Sequence, residues 1–486
     1  MPFETLPPPM PALEVPAADA GAFVFRDECV LGTRMLLAFT AQSLRVAQEA
    51  AFAVRAEIDR LRRVLDHRDP DSELSQLNRA SRHQASAELF DVVSLAEHWQ
   101  RVSSGAFSGR LGQALNLWRQ AVHELPSRIE LQDAVARTMA AEVGFDPRTR
   151  TIVRPDAVLF SLDALAKGWI VDRAFDAACR VQGVAGALVD IGGDIRCGGQ
   201  TPQSAGWRVG IADPTRPFDN APLVATTHLR DEGIATSGRG PRDPLVRGAR
   251  HSVTLSPFTG WPVDQRRSVS VIAASAAEAD AMATTLLVLQ EEKALDLANR
   301  HGVAARIARD DGSIRVTDAG RERFSVASSA GPSAWSDGWQ ALATFTAPRR
   351  QLIRDPSFRS PYLAMWITAP DNRPVRTLLL VGKRADWQKD NYLWWSMNRA
   401  HTDRLVTTRS MSTSGAGVYN VFWDGVDDAG ERVPAGTYVL HVETSRERGR
   451  HTYRSLTLEL GTARRFVQEL PPTEEGGGLR VSFDHY

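Results

Sequence analysis

Residues 187–199, ALVDIGGDIRCGG, contain a short apolar run, two adjacent glycines and a second apolar run. Residues 187–191 have the composition of a buried strand. Gly192 and Gly193 can adopt the backbone conformations that a tight turn or the close approach of a ligand requires. The stretch predicts a strand, a double-glycine turn and a second strand that begins near Asp194.

Helical and strand patterns alternate on both sides of this predicted hairpin. Residues 45–63 and 170–178 carry apolar side chains at helical spacing, and residues 207–211 have the pattern of another strand. Short turns separate such patterns from residue 23 to about residue 317. We therefore predict an α/β or α+β domain over residues 23–324.

The pattern changes after residues 325–337, whose Ser, Gly and Pro content is typical of a linker. Short apolar alternations then recur with turns between them, as in an all-β sandwich. We predict a β-sandwich domain over residues 338–470 and a flexible tail over residues 471–486. The Pro/Ala-rich residues 1–22 predict a disordered N-terminal arm.

Length and charge narrow the class of protein. The 486 residues exceed a single domain of about 150 residues, so more than one folded unit is expected. The chain has 58 Lys and Arg residues and 58 Asp and Glu residues, which gives a formal net charge of zero. Because no chain-wide positive field attracts a phosphate backbone, we expect no nucleic-acid partner.

The sequence contains no pattern of a membrane span or of a signal peptide. The longest apolar stretch, residues 268–290, is interrupted by Glu278 and Asp280. The N-terminus lacks the basic and apolar regions of a signal peptide. We expect a cytoplasmic protein without a membrane span, or a periplasmic one if the true start lies upstream.

Lys167 is a candidate for binding an anion. It lies in SLDALAKG (161–168), directly before an apolar pattern of helical spacing. This position predicts a lysine in the first turn of a helix, where free N–H groups suit a pyrophosphate. The alternative is a lysine on a solvated helix face.

Asp280 and Thr284 are candidates for binding a metal. They lie four residues apart in ADAMATTLLVL (279–289) and share one face of the predicted helix. One carboxylate, one hydroxyl and a backbone carbonyl could hold Mg²⁺, which takes oxygen ligands. The alternative is that both side chains only stabilise the helix.

A small-residue segment is a candidate for binding an oxyanion. Residues 233–238, GIATSG, predict a turn that could present the N–H and hydroxyl groups of Thr236 and Ser237. Neither GxxxxGK[ST] nor a strand-linked GxGxxG occurs, so P-loop and Rossmann chemistry are not supported.

Nine blocks between residues 31 and 289 resemble, in this order, the ApbE family of FAD:protein FMN transferases. The resemblance implies an α+β fold with a T-fold-like α/β core. It also implies a Mg²⁺-dependent enzyme that cleaves FAD, attaches FMN through its phosphate to a Ser or Thr of a partner flavoprotein, and releases AMP. The blocks are LGTRMLLAF (31–39), DPDSELSQLN (69–78), GAFSGRLGQALNLW (105–118), LDALAKGWIVDRA (162–174), ALVDIGGDIRCGG (187–199), WRVGIADP (207–214), IATSG (234–238), LSPFTGWPV (255–263) and ADAMATTLLVL (279–289).

The resemblance assigns expected roles to individual positions. The expected metal ligands are Ala164, through its carbonyl oxygen, Asp280 and Thr284. The residues expected at the FAD site are Leu31, Gly32, Thr33, Arg68, Ala106, Phe107, Ser108, Ser161, Lys167, Thr236 and Ser237.

Some of these positions depart from the family pattern. Arg68 stands where the family usually has an aromatic residue against the flavin, and Ser108 and Ser161 stand where it has aspartate. The family's His-x-x-Asp-Pro block corresponds to VTLSP (253–257), and His251 lies two residues before it.

Asp163 stands where the family usually has glycine, two residues after Ser161. In an extended segment, residues two apart share a face, so we expect Asp163 to restore a carboxylate to the flavin or metal pocket. Asp163 and His251 are the catalytic candidates. The alternative for Asp163 is an N-cap of a helix that begins at Ala164.

The acceptor is expected to be a separate protein. The family's acceptor motif, an acid followed by Ser/Thr-Gly-Ala-Thr, is absent, and the nearest string, STSGAG (412–417), lacks both the acid and the final Thr. Two alternatives to a transferase are a hydrolase that splits FAD into FMN and AMP, and a non-catalytic flavin-binding protein.

The C-terminal half carries two weaker resemblances. SPYLAMWIT (360–368) is similar to an uncharacterised β domain found beside this family. Residues 418–442 are similar to the Ig-like module of flagellar hook-capping proteins.

Overall fold

The computed structural model describes most of the chain. The described residues are 22–120, 124–201, 206–212, 219–220, 223–238, 245–246, 249–263, 267–326, 339–347, 362–381, 391–398, 409–410, 417–429, 431–445, 451–460, 465–472 and 477–485. Residues 1–21 of the predicted arm and residues 327–337 of the predicted linker lie outside these ranges.

Helices and strands alternate in the N-terminal part, and strands dominate the C-terminal part. The helices are α1 (Leu44–Leu65), α2 (Glu73–Arg79), α3 (Ala87–Val102), α4 (Gly112–Gln120), α5 (Arg128–Ala140), α6 (Asp163–Cys179), α7 (Ala276–Val288), α8 (Glu291–Arg300) and α9 (Tyr392–Asn398). The strands are β1 (Ala22–Val30), β2 (Thr33–Ala41), β3 (Arg82–Gln84), β4 (Gly144–Asp146), β5 (Thr151–Val153), β6 (Val184–Ile191), β7 (Asp194–Gly199), β8 (Trp207–Ala212), β9 (Leu223–Leu229), β10 (Glu232–Gly238), β11 (Leu245–Val246), β12 (Ala249–Arg250), β13 (Arg267–Ala273), β14 (Ala304–Arg309), β15 (Ile314–Val316), β16 (Ser325–Val326), β17 (Trp339–Thr346), β18 (Tyr362–Thr368), β19 (Pro374–Val381), β20 (Arg409–Ser410), β21 (Val418–Trp423), β22 (Gly436–Ser445), β23 (Thr452–Leu460), β24 (Phe466–Leu470) and β25 (Gly478–His485).

The N-terminal part has a mixed α/β core in three layers. Its centre is an eight-stranded sheet in the order β1-β2-β6-β7-β10-β13-β14-β15. Strand β2 shows why both faces are covered: Met35, Leu37 and Phe39 pack with helices α1 and α6, while Ala38 packs with β8 and β9 of a four-stranded sheet. Alternate residues of a strand point to opposite faces, so a strand buried on both sides is apolar throughout.

The predicted hairpin at residues 187–199 is confirmed. Strands β6 and β7 pair antiparallel, with Ile191 opposite Asp194. Gly192 and Gly193 between them have φ of 60° and 93°, the left-handed region that favours glycine. The turn places Asp194 at the start of β7. The β6–β7 turn and the β1–β2 turn lie at the same end of the strands.

Helices α6 and α7 pack closely and run antiparallel on one face of the sheet. The Asp172 carboxylate of α6 accepts hydrogen bonds from the first two N–H groups of α7, those of Ala276 (2.8 Å) and Ala277 (2.9 Å). One turn earlier in α6, the Gly168 N–H donates to Asp280 Oδ2 at 3.2 Å. This register places Ala164, a further turn earlier, opposite Thr284.

The C-terminal part is a β-sandwich. One four-stranded sheet has the order β21-β17-β25-β24, and the other has the order β19-β18-β22-β23. A single apolar cluster fills the space between them, with Phe345 and Val481 from the first sheet and Met365 and Leu440 from the second.

Two predicted boundaries of this domain are wrong. The predicted tail at residues 471–486 contains β25, an inner strand paired with both β17 and β24. Its alternating residues Leu479, Val481 and Phe483 are buried in the sandwich core, which holds the segment in place. The predicted linker begins inside β16, which pairs with β9 and therefore belongs to the N-terminal part.

A clasp of residues 219–220 and Arg34 joins the two parts. The Asp219 carboxylate pairs with Arg34 of β2 and accepts a hydrogen bond from the Asn420 N–H of β21 at 2.7 Å. The Asn220 side chain exchanges two hydrogen bonds with the backbone of Phe422. Because β21 is an edge strand, the clasp satisfies backbone groups that would otherwise be unpaired.

None of the helices within the described ranges is long and apolar enough to cross a membrane.

Candidate functional site

A cavity of about 390 Å³ lies between the β1–β2 turn, α1 and α6. One wall is apolar and is formed by Leu31, Ile58, Leu65 and Ile170. The rest of the wall carries charges on both α1 and α6. Five of the residues predicted from sequence line this cavity, namely Leu31, Gly32, Arg68, Asp163 and Lys167.

The β1–β2 turn presents its backbone to the cavity. Leu31 and Gly32 have φ of 52° and 75°, so the chain turns there in the left-handed region. The next residue, Thr33, is buried, and its hydroxyl oxygen has no hydrogen-bond partner among the described residues. A buried hydroxyl without a partner is costly, so a ligand that bonded to it would relieve that cost.

Lys167 forms an ion pair with Asp194 at one end of the cavity. Because α6 begins at Asp163, Lys167 lies in the second turn of the helix, and the prediction of a first-turn lysine is wrong. Its partner Asp194 comes from the β6–β7 turn, and that side chain is only 2% exposed. The pair fixes the ammonium group at the cavity wall.

Asp280 is a buried carboxyl group close to this pair. Burial raises its pKa well above the usual value, and the neighbouring Asp194 carboxylate raises it further, while Lys167 acts in the opposite direction. The prediction that Asp280 and Thr284 share one helix face is confirmed by α7. Thr284 Oγ1 lies 3.2 Å from Ser237 Oγ.

These donors fit a hard cation. No group of three or more His, Cys, Asp or Glu side chains suited to a metal occurs among the described residues. The predicted set requires only one carboxylate, with a hydroxyl and the Ala164 carbonyl, and Mg²⁺ retains waters or substrate phosphates for its other positions. A cation beside Asp280 would also compensate the charge that burial disfavours.

Asp163 lies in the cavity wall between the side chains of His67 and Arg68. Its Oδ1 is 3.2 Å from Nδ1 of His67, and its Oδ2 is 3.6 Å from an Nη atom of Arg68. Burial raises the pKa of Asp163, but His67, Arg68 and Arg119 lower it by more, so the net shift is downward. The alternative role as an N-cap is wrong, because Asp163 is the first helical residue and Leu162 is the cap.

Sequence reasoning missed His67 and Asp194. His67 was not singled out because a lone histidine in a loop carries no spacing signal. Asp194 is predicted only as the start of a strand, and its contact with Lys167 joins residues that are distant in the chain.

Other predicted site residues lie outside the lining of this cavity. Ala106 and Phe107 are buried, and Phe107 belongs to the core shared by the helices and the sheet. Ser108 donates a hydrogen bond to Gln100 Oε1 at 2.9 Å. Ser161 is buried, and its N–H donates to the Gly109 carbonyl oxygen. Their roles at the FAD site stay predictions.

The predicted turn at residues 233–238 is instead strand β10, paired with β7 and β13. Its hydroxyl groups contact neighbouring elements: Thr236 Oγ1 lies 2.9 Å from Ser270 Oγ, and Ser237 contacts Thr284. These contacts place Ser237 beside a predicted metal ligand.

His251 lies against an aromatic side chain. Its ring centroid is 5.4 Å from that of Trp118, which in turn packs edge-on against Trp261. His251 does not line the cavity described above. Its catalytic role stays a prediction.

Comparison with known proteins identifies relatives of the N-terminal part. The FAD:protein FMN transferase of Chlamydia trachomatis serovar D is 31% identical over 281 residues, covering 54% of this chain and 84% of the relative. The enzyme of the same name from Vibrio cholerae serotype O1 is 29% identical over 291 residues, covering 56% and 86% respectively.

Solved structures show the same fold. The crystal structure of the ApbE protein of Thermotoga maritima has a TM-score of 0.55 at 25% identity, covering 61% of this chain and 97% of that one. The apo form of the Pseudomonas stutzeri flavinyl transferase ApbE has a TM-score of 0.54 at 25% identity, covering 63% and 98%.

Residues 349–477 match a second family, described as a predicted periplasmic protein (DUF2271). This match confirms the resemblance to an uncharacterised domain, while the likeness to a flagellar Ig-like module stays a prediction. Residues 31–307 match the ApbE family over more than half of the sequence. This chain therefore belongs to the ApbE family.

Proposed function

We propose that this protein is a Mg²⁺-dependent FAD:protein FMN transferase. It moves FMN from FAD to a Ser or Thr hydroxyl of a separate acceptor flavoprotein and releases AMP. The observation that carries the proposal is the meeting of Lys167, Asp194 and Asp280 beside the cavity. The names of the relatives support it.

Different residues of this chain would bind different parts of FAD. The Leu31–Gly32 turn lines the cavity and would hold FAD together with Thr33, the next residue in the chain. Lys167 would bind the pyrophosphate, since its ammonium is already held in position by Asp194. This arrangement is preorganised, which is the main requirement for phosphoryl transfer.

Asp280, Thr284 and the Ala164 carbonyl would hold Mg²⁺. When bound, Mg²⁺ would neutralise charge on the pyrophosphate and on the leaving phosphate. Asp280 contributes the carboxylate, and the Gly168 N–H keeps its Oδ2 in place at 3.2 Å. Asp163 directly precedes Ala164 in the chain and contributes a carboxylate to the cavity wall.

The second family match favours a periplasmic location over a cytoplasmic one, because that family is described as a predicted periplasmic protein. The acceptor would then be a flavoprotein with its acceptor residue on the same side of the membrane.

The test is to incubate the purified protein with FAD and Mg²⁺, with and without a protein that bears the family's acceptor motif. We expect AMP release together with an acceptor mass gain of one FMN. The Lys167→Met variant should lose both signals, and Lys293→Met, at an exposed position on α8, should retain them.

Other outcomes would contradict the transferase proposal. AMP and free FMN without any gain in acceptor mass would indicate a hydrolase. FAD binding without AMP would indicate a flavin-binding protein. His251→Asn, measured in the same assay, tests the catalytic role predicted for that residue.

A further inference from the structure

We propose that the Arg68 guanidinium, held by Asp163, forms the planar surface on which the isoalloxazine ring of the bound flavin nucleotide lies. The identity of the ligand rests on the proposed function. The inference assigns a specificity-determining role to Arg68 and to Asp163, whose carboxylate contacts both Arg68 and His67.

A flat ring that binds in this cavity cannot stack on an aromatic side chain of the described lining. No Phe, Tyr, Trp or His is among the described residues that line it. Its apolar wall, formed by Leu31, Ile58, Leu65 and Ile170, can cover one face of a flat ring. The opposite face of the ring then needs a partner from the charged part of the wall.

Two arginines line the cavity, Arg62 and Arg68, and Arg68 has the more exposed side chain. A guanidinium is planar and delocalised, stacks on aromatic faces, and is more weakly hydrated than an ammonium group. The Arg68 side chain is 56% exposed, so a ligand can cover it without first displacing protein. The Arg68 backbone is fixed by its N–H, which donates to Asp66 Oδ1 at 3.0 Å.

Asp163 and His67 restrict where that guanidinium lies. The Asp163 carboxylate uses one oxygen for Arg68 (3.6 Å) and the other for His67 (3.2 Å). The His67 side chain is only 8% exposed, so it anchors the far side of the carboxylate. An exposed ion pair is weak in water, but a ring that covers it removes solvent and strengthens it.

The two departures from the family pattern at Arg68 and Asp163 thus compensate each other. The aromatic residue is replaced by Arg68, and the glycine is replaced by Asp163, and these two replacements meet in the cavity wall. An arginine without a carboxylate partner would be free to turn into solvent. The two substitutions should therefore be coupled energetically.

The experiment measures equilibrium binding of FAD, FMN and ADP by fluorescence or calorimetry, which needs no turnover. Arg68→Ala and Arg68→Lys should both weaken FAD and FMN binding about tenfold. Alanine removes the side chain, and lysine keeps the charge but lacks the planar guanidinium. Arg68→Tyr should bind within about threefold of the unchanged protein. ADP binding should be the same in all of these variants.

A double-mutant cycle tests the part played by Asp163. Asp163→Asn should weaken FMN binding several-fold when Arg68 is present and should have no effect in the Arg68→Tyr background. Arg63→Ala, at an exposed arginine of α1 that does not line the cavity, is the matched control and should leave binding unchanged. Circular dichroism and melting temperature confirm that each variant is folded.

Three results would overturn the inference. Arg68→Lys binding like the unchanged protein while Arg68→Tyr binds weakly would show that charge, not the plane, matters. A loss confined to ADP would place the adenine, not the isoalloxazine, at this surface. Failure of the unchanged protein to bind FAD would overturn this inference and the proposed function, whereas FAD binding without FMN transfer would overturn only the latter.

Discussion

Asp280 combines two properties that seldom coexist in a stable fold: it is a carboxyl group, and it is buried beside a second carboxylate. Such a group is stabilised either by a proton or by a cation. We expect Mg²⁺ to raise the melting temperature of the unchanged protein and to have no such effect on Asp280→Asn. FMN transfer by this variant should fall about 100-fold or more, since a bound cation supplies several kcal/mol.

The same variant has a predictable pH dependence. Because the pKa of Asp280 is raised in the folded state, its contribution to stability without a divalent cation is largest at low pH and is lost as pH rises through the raised pKa. Asp280→Asn should lack this loss. Asp296→Asn, an exposed carboxylate on α8, is the control and should behave as the unchanged protein does. If Mg²⁺ changed the melting temperature of Asp280→Asn and of the unchanged protein equally, Asp280 would not be a metal ligand.

At the scale of residues, sequence reasoning succeeded where partners are near in the chain. The i,i+4 relation of Asp280 and Thr284 is a property of one helix and was predicted correctly. Lys167 was placed one turn too early because the Asp163 side chain does not cap the helix and the helix starts at that residue. His67 and Asp194 acquire their partners only through tertiary packing, and no local pattern marks them.

At the scale of elements, the site depends on the close approach of α6 and α7. A Cβ atom added at Gly168 would lie 2.4 Å from the Ala276 carbonyl oxygen, which is backbone and cannot turn away. Gly168→Ala should therefore force the helices apart and lower the free energy of unfolding by about 1–3 kcal/mol. It should also weaken Mg²⁺ binding, because the Gly168 N–H would no longer reach Asp280.

Urea unfolding and a Mg²⁺ thermal shift measure both effects. Gly144→Ala in β4 is the matched control, because its added Cβ would meet only Val153, at 3.5 Å from Cβ and 3.9 Å from the carbonyl oxygen, which are ordinary contacts. We expect that control to stay within about 0.5 kcal/mol of the unchanged protein. An unfolding midpoint for Gly168→Ala equal to that of the control would show that the helix contact is not tight.

The sequence predicts the type of an element correctly where the apolar pattern is strong. The prediction is wrong where polar residues contact partners that are distant in the chain. The β6–β7 hairpin was predicted from its two glycines and its apolar flanks. Residues 233–238 were predicted as a turn from their small and polar side chains. In the structure they form β10. Thr236 contacts Ser270 of β13 and Ser237 contacts Thr284 of α7, so the partly buried hydroxyl groups of this strand keep polar partners.

At the scale of the whole molecule, the clasp at Asp219 joins the two parts through a side chain that is only 8% exposed. Asp219→Ala removes a carboxylate that pairs with Arg34 and accepts from the Asn420 N–H, and each hydrogen bond to a charged group contributes about 1.5–3 kcal/mol. We expect the N-terminal and C-terminal parts of the Asp219→Ala variant to unfold in two separated calorimetric transitions. In the unchanged protein the two transitions should lie closer together, because the clasp couples the two parts.

Asp318→Ala is the control for this prediction. Its ion pair with Arg321 at 3.1 Å is exposed on both sides and should contribute little. Superimposable calorimetric traces for Asp219→Ala and the unchanged protein would show that the two parts unfold independently of the clasp.

The boundaries of the two parts were harder to predict than their classes. The change from mixed α/β to all-β is a change of periodicity and was visible in the sequence. The strand β20 pairs with β8 of the N-terminal part, although it lies within the range predicted for the sandwich. Composition alone could not reveal this exchange, because a two-residue strand has no periodic pattern.

The position of β25 bears on the order in which the protein acquires its structure. Among the described strands of its sheet, this one comes last in the sequence, and it lies inside the sheet, paired along its whole length with β17, which comes first. During vectorial synthesis, the N-terminal part can fold while the chain is still being made. The sandwich must wait, with an open gap between β17 and β24, until residues 478–485 have left the ribosome.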